Sequence, residues 1–342
     1  MKAFFHLILI CIFPFCSSGQ LTLGGSNPQE IVQSALAGSG ANISNIQYTG
    51  SPEAIAYFSA NNYYMTFHSG LLMTTGSKFL AVGPNNSTNA GVRNGAAGYQ
   101  LMNSTFNTTS YDCAILSFNV TPSGNSIRLN YSFASEEYNP EQTGLNNYNF
   151  NDAFAIFVSG PGINGMKNIA VLPNNAPISI RTINPSTNSQ YLLENGNGDN
   201  PPYNNSTEYL QYDKVVFPLT AVIENIFPGS TYSFTIIIAD GGDDLLDSGV
   251  FIEEGSITAG LGENDLSNFV NVFYNPEIQK ASIKITEYQE NLTYSVVDLS
   301  GKTIVRSQIS ETTTLDLSDY SSGMYLITVE SANGKISKKV VR

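Results

Sequence analysis

Residues 129–158 read LNYSFASEEYNPEQTGLNNYNFNDAFAIFV, and they decide the fold class of the chain. The first five residues alternate apolar and polar side chains, as a strand with one buried face does, and residues 153–158 form a second, wholly apolar run. This arrangement predicts two β-strands. It also places Glu136, Glu137 and Asp152 where one strand ends and the next begins.

Short runs rich in Val, Ile, Phe and Tyr recur through the chain, separated by Gly, Asn and Pro clusters. Among them are CAILSFNV (113–120), SIRLNYSF (126–133), NIAVLP (168–173), ISIRTI (178–183), KVVFPLTAVI (214–223) and TYSFTIIIAD (231–240). The pattern predicts an all-β protein with a large antiparallel β-sandwich or jelly-roll-like domain over residues 20–260. After a boundary near residues 255–265, a second series of strands predicts a small Ig-like β-sandwich over residues 265–342. Helix starts are few, at residues 26–30 and 51–53.

The composition favours an exported β-protein that does not bind nucleic acid. Only 13% of the 342 residues are charged, and the net charge is −13. Residues 20–260 contain 18 acidic and 6 basic residues, so they would repel phosphate. Cations are the better expected partners of this region.

The N-terminus has the pattern of a secretory signal peptide. Lys2 precedes an apolar stretch over residues 4–15, and small residues precede a cut before Gln20. We therefore predict a signal peptide over residues 1–19, with an uncleaved membrane anchor as the alternative. Cleavage leaves Cys113 as the one cysteine and His68 as the one histidine, so we expect no internal disulfide.

The C-terminal region resembles a known sorting module. The stretches that carry the resemblance are DLSGK (298–302), SGMYL (322–326) and the basic end KKVVR (338–342). Over residues 265–342 the chain resembles the C-terminal sorting domain of the type IX secretion system of Bacteroidota. The resemblance implies that the chain leaves the cytoplasm by the Sec pathway and that the type IX machinery then delivers it to the outer-membrane surface or the extracellular space.

Two glycines and the last strand of this region also allow structural predictions. Gly301 and Gly323 suit turn positions of positive φ. The basic C-terminal strand is expected at a sheet edge, where its lysines discourage pairing with other chains.

The larger region resembles the bacterial choice-of-anchor L domain over about residues 25–258. FHSGLLMTTG (67–76), SFASEEY (132–138) and DGGDDLLDSGVF (240–251) carry this resemblance. The family joins a similar extracellular domain to interchangeable anchoring or sorting modules, which fits the C-terminal region. The resemblance does not name a ligand.

Acidic residues crowd the ends of several predicted strands. Neighbouring side chains of a strand point to opposite faces, so Glu136 and Glu137 are not expected to enter one core together. Ca²⁺ prefers carboxylate, amide and backbone oxygens supplied by loops. We therefore predict a Ca²⁺ site formed by some of Glu136, Glu137, Asn151, Asp152, Asp240 and Asp247. The alternative is a set of solvated acidic turns whose side chains cap backbone groups.

Three function classes remain open. The first is an exported surface or secreted protein for binding or adhesion, stabilised by calcium. The second is a secreted hydrolase of polysaccharides that uses Glu137 and Asp240 as paired carboxylates. The absence of Trp disfavours the hydrolase, because sugar-processing grooves usually present large aromatic platforms. A surface-structural protein without a discrete ligand comes third.

Overall fold

The structure is a computed structural model, and it describes residues 21–60, 67–138, 150–196, 210–260, 266, 270–275, 279–285, 292–331 and 334–342. The predicted signal peptide lies outside these described residues. So does most of the polar stretch that separates the two strands quoted first.

Within the described residues the chain is built almost wholly of strands. In chain order they are β1 Leu21–Leu23, β2 Ala41–Thr49, β3 Ile55–Ala60, β4 Ser69–Thr74, β5 Ser110–Pro122, β6 Ser126–Ser135, β7 Ala153–Ser159, β8 Lys167–Asn168, β9 Ile178–Ser179, β10 Leu192–Glu194, β11 Lys214–Val216, β12 Leu219–Glu224, β13 Tyr232–Gly241, β14 Ser248–Glu253, β15 Thr258–Gly260, β16 Val270–Asn275, β17 Lys280–Ile285, β18 Thr293–Asp298, β19 Thr303–Gln308, β20 Thr313–Asp316, β21 Met324–Ser331 and β22 Gly334–Val341. The all-β prediction is confirmed.

Two antiparallel sheets form the large domain, the name used here for residues 20–260. The first sheet has the order β1-β3-β4-β14-β6-β11-β10, with β12 and β15 also paired to β6. The second sheet has the order β2-β5-β13-β7-β8, with β9 paired to β7. The main core lies between them and includes Phe133 and Val250 from the first sheet and Phe154 and Ile236 from the second. The two sheets therefore pack face to face as a sandwich.

Several central strands are buried on both faces, which explains why their sequences are apolar without alternation. In β7, Phe154 and Ile156 face the main core, while Ala155 and Phe157 pack with Met102 of a helix on the other side. The outer face of the first sheet is likewise covered by residues around 81 and 210–212. The large domain is thus a sandwich whose sheets both carry additional outer layers.

Helical segments are short in the part of the chain that the structure describes. They are α1 Pro28–Ile31, a π-helical turn Val32–Leu36, α2 Gln100–Phe106, and 3-10 turns Pro52–Ala54, Lys78–Ala81 and Ser189–Tyr191. The predicted starts at 26–30 and 51–53 are confirmed, since Asn27 and Ser51 cap the backbone amides of Gln29 and Glu53. The helix α2 was not predicted, because its N-cap residue Tyr99 makes no side-chain capping bond.

Three predicted strands differ from the structure. In residues 168–173 only Asn168 is in a strand, because its side-chain oxygen accepts the amides of Ile156 and Ala170 and so replaces strand hydrogen bonds. In residues 178–183 pairing ends at Ser179, where the chain turns. Residues 214–223 form two strands, β11 and β12, that are separated at Phe217-Pro218, since proline offers no amide hydrogen to a ladder.

The C-terminal region also forms two sheets, β16-β17-β20 and β19-β18-β21-β22. The strand β22 lies at a sheet edge, as predicted. Gly301 has φ +84°, as predicted, but Gly323 is not in the positive-φ region. Gly323 instead exchanges two backbone hydrogen bonds with Arg342, so it belongs to a ladder rather than to a left-handed turn.

The two regions contact each other through aromatic and polar groups. The rings of Phe217 and Phe273 lie 5.6 Å apart, centroid to centroid. Lys284 Nζ lies 5.0 Å from the Phe217 ring centroid and donates to the carbonyl of Gln190 at 2.9 Å. A cleft beside this contact is lined by residues of both regions, including Asn130 and Lys338.

Candidate functional site

One end of the sandwich collects acidic side chains because a single loop there crosses from one sheet to the other. Asp240 is the penultimate residue of β13 in the second sheet, and Asp247 ends the loop that leads from β13 to β14 in the first sheet. The strand β6 ends beside it, since the Glu136 amide donates to the Asp247 carbonyl at 3.1 Å. The sequence order alone therefore brings carboxyls of both sheets together.

The inner acidic group consists of Glu137, Asp152, Asp240 and Asp247, and it lies between the ends of the two sheets. Asp152 is 1% exposed; its Oδ1 accepts the Gly241 amide at 3.0 Å and its Oδ2 accepts the Ser248 hydroxyl at 2.6 Å. Asp240 is equally buried, but neither of its carboxylate oxygens has a hydrogen-bond partner. Oε2 of Glu137 and Oδ2 of Asp247 are also buried without one.

Burial raises the pKa values of all four carboxyls, and other members of the group add to the rise for Glu137, Asp240 and Asp247. Burial raises the pKa of Asp152 to about 7 and that of Asp247 to about 7. Burial, reinforced by the charge of Asp152, holds the pKa values of Glu137 and Asp240 well above their usual range. As metal-free carboxyls, members of this group therefore retain protons at a pH where exposed carboxyls are ionised.

Asp247 is held by a loop that covers the acidic end. Its Oδ1 accepts the Val92 amide at 3.0 Å. Its carboxylate lies so close to Gly76 that a Cβ at that position would approach Oδ2 to 1.9 Å. A larger side chain at Gly76 would therefore displace this carboxylate.

Both adjacent glutamates are buried, but they do not enter one core together. Glu136 is 0% and Glu137 is 2% exposed. The strand β6 ends at Ser135, whose hydroxyl accepts the Glu137 amide at 2.9 Å. Glu136 continues the outer face of the first sheet, while Glu137 faces Asp152 of the second sheet. They enter two different packed layers, because the first sheet is covered on both faces.

Asn151 lies beside the inner group, but its side chain serves the backbone. Its Oδ1 accepts the amide of Arg181 at 3.0 Å and its Nδ2 donates to the Phe106 carbonyl at 3.3 Å. The structure therefore places five of the six predicted residues as buried carboxyls at one end and gives Asn151 a local structural contact.

Sequence reasoning missed three buried polar residues near Glu136. Asp213 is 1% exposed and accepts a hydrogen bond from Asn85 at 2.9 Å. Gln211 in turn donates to the Asn85 side-chain oxygen at 2.9 Å. One signal was available, since Asp213 immediately precedes β11 just as Asp152 immediately precedes β7.

A further buried carboxyl, Asp112, sits in a bulge. The register between β13 and β5 shifts between Ile238 and Asp240, and Asp112 there has φ +45°. Its Oδ2 accepts the amide of Asn94 at 2.9 Å. Nothing in the local sequence marks this bulge, because it depends on the pairing with β13.

The carboxyls alone do not form a complete metal-binding site. Among the described residues, no three acidic, histidine or cysteine side chains are arranged so that they could together hold a metal ion. Any ion at this end would be held by two carboxylates together with hydroxyl, amide or backbone oxygens.

The geometry disfavours the hydrolase pair. Glu137 and Asp240 are each 2% exposed or less, whereas a glycosidase presents its carboxyls across a cleft open to a sugar chain and to water. The cleft described above is lined by Asn130, Glu253 and residues of the C-terminal region, not by this pair.

Comparison with protein families identifies both regions. Residues 22–258 match the family model of the choice-of-anchor L domain. The chain belongs to the choice-of-anchor L domain family. Residues 271–342 match the secretion system C-terminal sorting domain. The choice-of-anchor L protein is therefore exported by type IX secretion to the cell surface or the extracellular space.

Other comparisons add little. No curated protein is significantly similar in sequence. A DUF3244 family protein with an immunoglobulin-like β-sandwich fold from Bacteroides vulgatus is 14% identical, at a TM-score of 0.20, over 21% of this chain and 82% of its own. The Ruminococcus gnavus β-glucuronidase is 9% identical, at a TM-score of 0.28, over 67% of this chain but only 35% of its own. Similarities this weak carry no functional argument.

Membrane-spanning helices are absent from the residues that the structure describes. None of their helices combines the length and the apolar character needed to cross a bilayer.

Proposed function

We propose that the large domain is a binding or adhesion module that Ca²⁺ stabilises and that the sorting domain delivers to the cell surface. The observation that carries the proposal is the burial of the inner acidic group between two sheets. The main charge effects on its members come from other carboxyls. A structure of this kind needs a positive charge or protons at its acidic end.

The physical argument rests on the cost of buried charge. An ionised carboxylate that leaves water without a partner costs several kcal/mol. Protons can remove that cost at low pH, but at neutral pH a cation does so while the carboxylates stay ionised. The atoms of the inner acidic group that could ligate a metal are oxygens, and Ca²⁺ accepts oxygen ligands in irregular arrangements.

The residues present fit such an ion. Both carboxylate oxygens of Asp240, one of Asp247 and one of Glu137 have no hydrogen-bond partner. The Thr75 side chain lies near Asp240, where it opposes the rise in the pKa of that carboxyl. We infer that two of these carboxylates hold the ion together with neutral oxygens from the surrounding loops.

The binding role follows from where the acidic end meets solvent. The loop that covers the inner group exposes Val92, and the crossing loop exposes Leu245. The two loops are in contact, because a Cβ at Gly91 would meet the Leu245 carbonyl. An ion beneath these loops would fix the shape of this surface, and so would make ligand binding calcium-dependent.

Two measurements test the proposal. Thermal unfolding of the purified protein is expected to shift upward in calcium relative to excess chelator, and the double variant Asp240→Asn, Asp247→Asn should abolish that shift. Asp244→Asn, in the same loop and paired with exposed Arg93, is the matched control. Identical curves with calcium and with chelator would refute the ion site.

The binding role needs its own assay. A glycan array probed with and without calcium is expected to give signals that depend on calcium and that the double variant loses. Release of reducing ends from a bound polysaccharide would instead favour the hydrolase.

A further inference from the structure

The first sheet places a second set of polar side chains on its outer face, opposite the inner acidic group. In the strand register Ser135 is opposite Lys214 of β11 on one side and Ser248 of β14 on the other. One residue further along, in the row across the same strands, Asp213 is opposite Glu136 on one side. On the other side lies Asp247, whose backbone carbonyl accepts the Glu136 amide and whose carboxyl borders both this row and the inner acidic group. Adjacent strands lie about 4.8 Å apart, so neighbouring carboxyls in this row are close.

The face on which this row lies follows from the packing of the same strands. Ala134, Val215 and Phe251 belong to the outer apolar cluster, whereas Phe133 and Val216 belong to the main core between the sheets. Side chains alternate along a strand, so Glu136 and Asp213 share the outer face with Ala134 and Val215. They are therefore separated from Asp152 and Asp240 by the sheet itself.

Glu136 is the informative member of this row. It is 0% exposed. The Gln211 side chain and the Ala90 backbone lie near enough to oppose the rise in its pKa, but neither carboxylate oxygen has a hydrogen-bond partner at normal distance and angle. Among the charged groups that act on Glu136, Asp213 has the largest effect, and it adds to burial in raising the pKa of Glu136. A buried carboxylate with two unused oxygens beside a second carboxylate calls for a positive charge.

The other polar groups around Glu136 are neutral, and hydrogen bonds hold them in position. Gln211 Nε2 donates to Asn85 Oδ1 at 2.9 Å and to the Ser87 carbonyl at 3.1 Å. Asn85 Nδ2 in turn donates to Asp213 Oδ1 at 2.9 Å. This chain of hydrogen bonds orients Asp213 and holds the Asn85 side-chain oxygen and the Ser87 carbonyl in one network with it. Oxygens of these kinds are the ligands that a hard cation takes.

We propose that the outer face of the first sheet holds a second cation site, centred on Glu136 and Asp213 and completed by oxygens of Asn85, Gln211 and the backbone, which takes a divalent cation of the calcium type. The site is separate from the inner group and does not require that group to bind an ion. It joins β6 and β11 to the covering segment around residues 85–87, whereas the inner group joins the two sheets.

Calcium stoichiometry tests the proposal directly. Equilibrium dialysis of the exported protein against calcium, followed by elemental analysis, is expected to give two ions per chain. Glu136→Gln combined with Asp213→Asn should leave one ion, and Asp240→Asn should leave the other. Glu194→Gln, on the neighbouring strand β10 and exposed, is the matched control and should keep both.

The outcomes separate the two sites. A single ion that Asp240→Asn removes would overturn the outer site and leave the proposed function standing. A single ion that only the Glu136→Gln, Asp213→Asn variant removes would support the outer site and overturn the inner one. Loss of no ion in that double variant, with a gain in thermal stability, would mean that the outer carboxyls hold a proton only, and would overturn the proposal.

Folding of the variants does not limit the test. Two ions in the unmodified protein support the outer site and no ion overturns it, and both results are obtained without any variant. Glu136→Asp keeps the charge and withdraws the carboxylate by one methylene. It should weaken binding of one ion and leave affinity for the other unchanged.

Discussion

Asp247→Asn should stabilise the metal-free protein at pH 8, although it alters a buried and well-packed residue. The substitution keeps the size of the side chain and keeps an oxygen for the Val92 amide. It removes a charge whose second oxygen, Oδ2, has no hydrogen-bond partner. In the metal-free protein that buried charge lowers the free energy of unfolding, so its removal should stabilise the fold.

The size of the effect follows from the pKa of Asp247, which burial raises from 3.8 to about 7. The fold favours the protonated form, so the unmodified protein loses stability as pH rises from about 4 to about 7, and no further above that range. A shift of about 3 units corresponds to an upper limit of about 4 kcal/mol, at ~1.4 kcal/mol per unit. For a domain of this size that is about 8–16 °C in Tm.

The assay is thermal unfolding of both proteins in excess chelator from pH 4 to pH 8, with Asp244→Asn as control. The two curves should coincide near pH 4 and separate as pH rises, with the variant higher. In calcium the difference in Tm should shift in favour of the unmodified protein. Ligand at 100 times Kd contributes about 2.7 kcal/mol to the stability of that protein and nothing to the variant. A variant less stable than the unmodified protein at pH 8 in chelator would refute the argument that this carboxylate is buried at a cost.

Three further predictions concern processing, catalysis and the contact between the two regions. Mass spectrometry of the extracellular protein should find an N-terminus near Gln20 and a C-terminus between residues 256 and 268, and an intact C-terminal region would count against removal of the sorting domain. Glu137→Gln should alter thermal stability and the calcium response without removing any polysaccharide-degrading activity; loss of such an activity in a folded variant would restore the hydrolase. Lys284→Ala should speed proteolysis between the two regions by removing the contacts with Phe217 and Gln190, whereas the same change at exposed Lys280 should not, and equal rates would contradict the contact.

The sequence was sufficient for the strands and for the acidic end because both depend on local order. Alternation along β6 and the apolar run of β7 predicted strands that the structure confirms. The acidic residues meet because they occupy strand ends. Since strands of a sandwich end at common edges, their sequence positions were enough to predict that Glu137, Asp152 and Asp240 lie together.

The features that could not be predicted from the sequence depend on how the layers pack and how the strands pair. Burial of both Glu136 and Glu137 requires a sheet covered on both faces, and the covering residues are far away in sequence. The bulge that buries Asp112 depends on the register with β13. Gly323 was placed in a turn on its local sequence, but its pairing with Arg342 decides its conformation.

The strands that are buried on both faces have a consequence before the protein folds. Residues 153–158 and 236–239 are uncharged, β-prone and apolar, which is the composition of segments that aggregate when exposed. Asp152 directly precedes the first run and Asp240 directly follows the second. In an unfolded chain in transit these carboxyls have ordinary pKa values and are charged, so they oppose the stacking of such segments between molecules. The same carboxyls thus keep exported chains apart while unfolded, and they become costly only once the two sheets close over them.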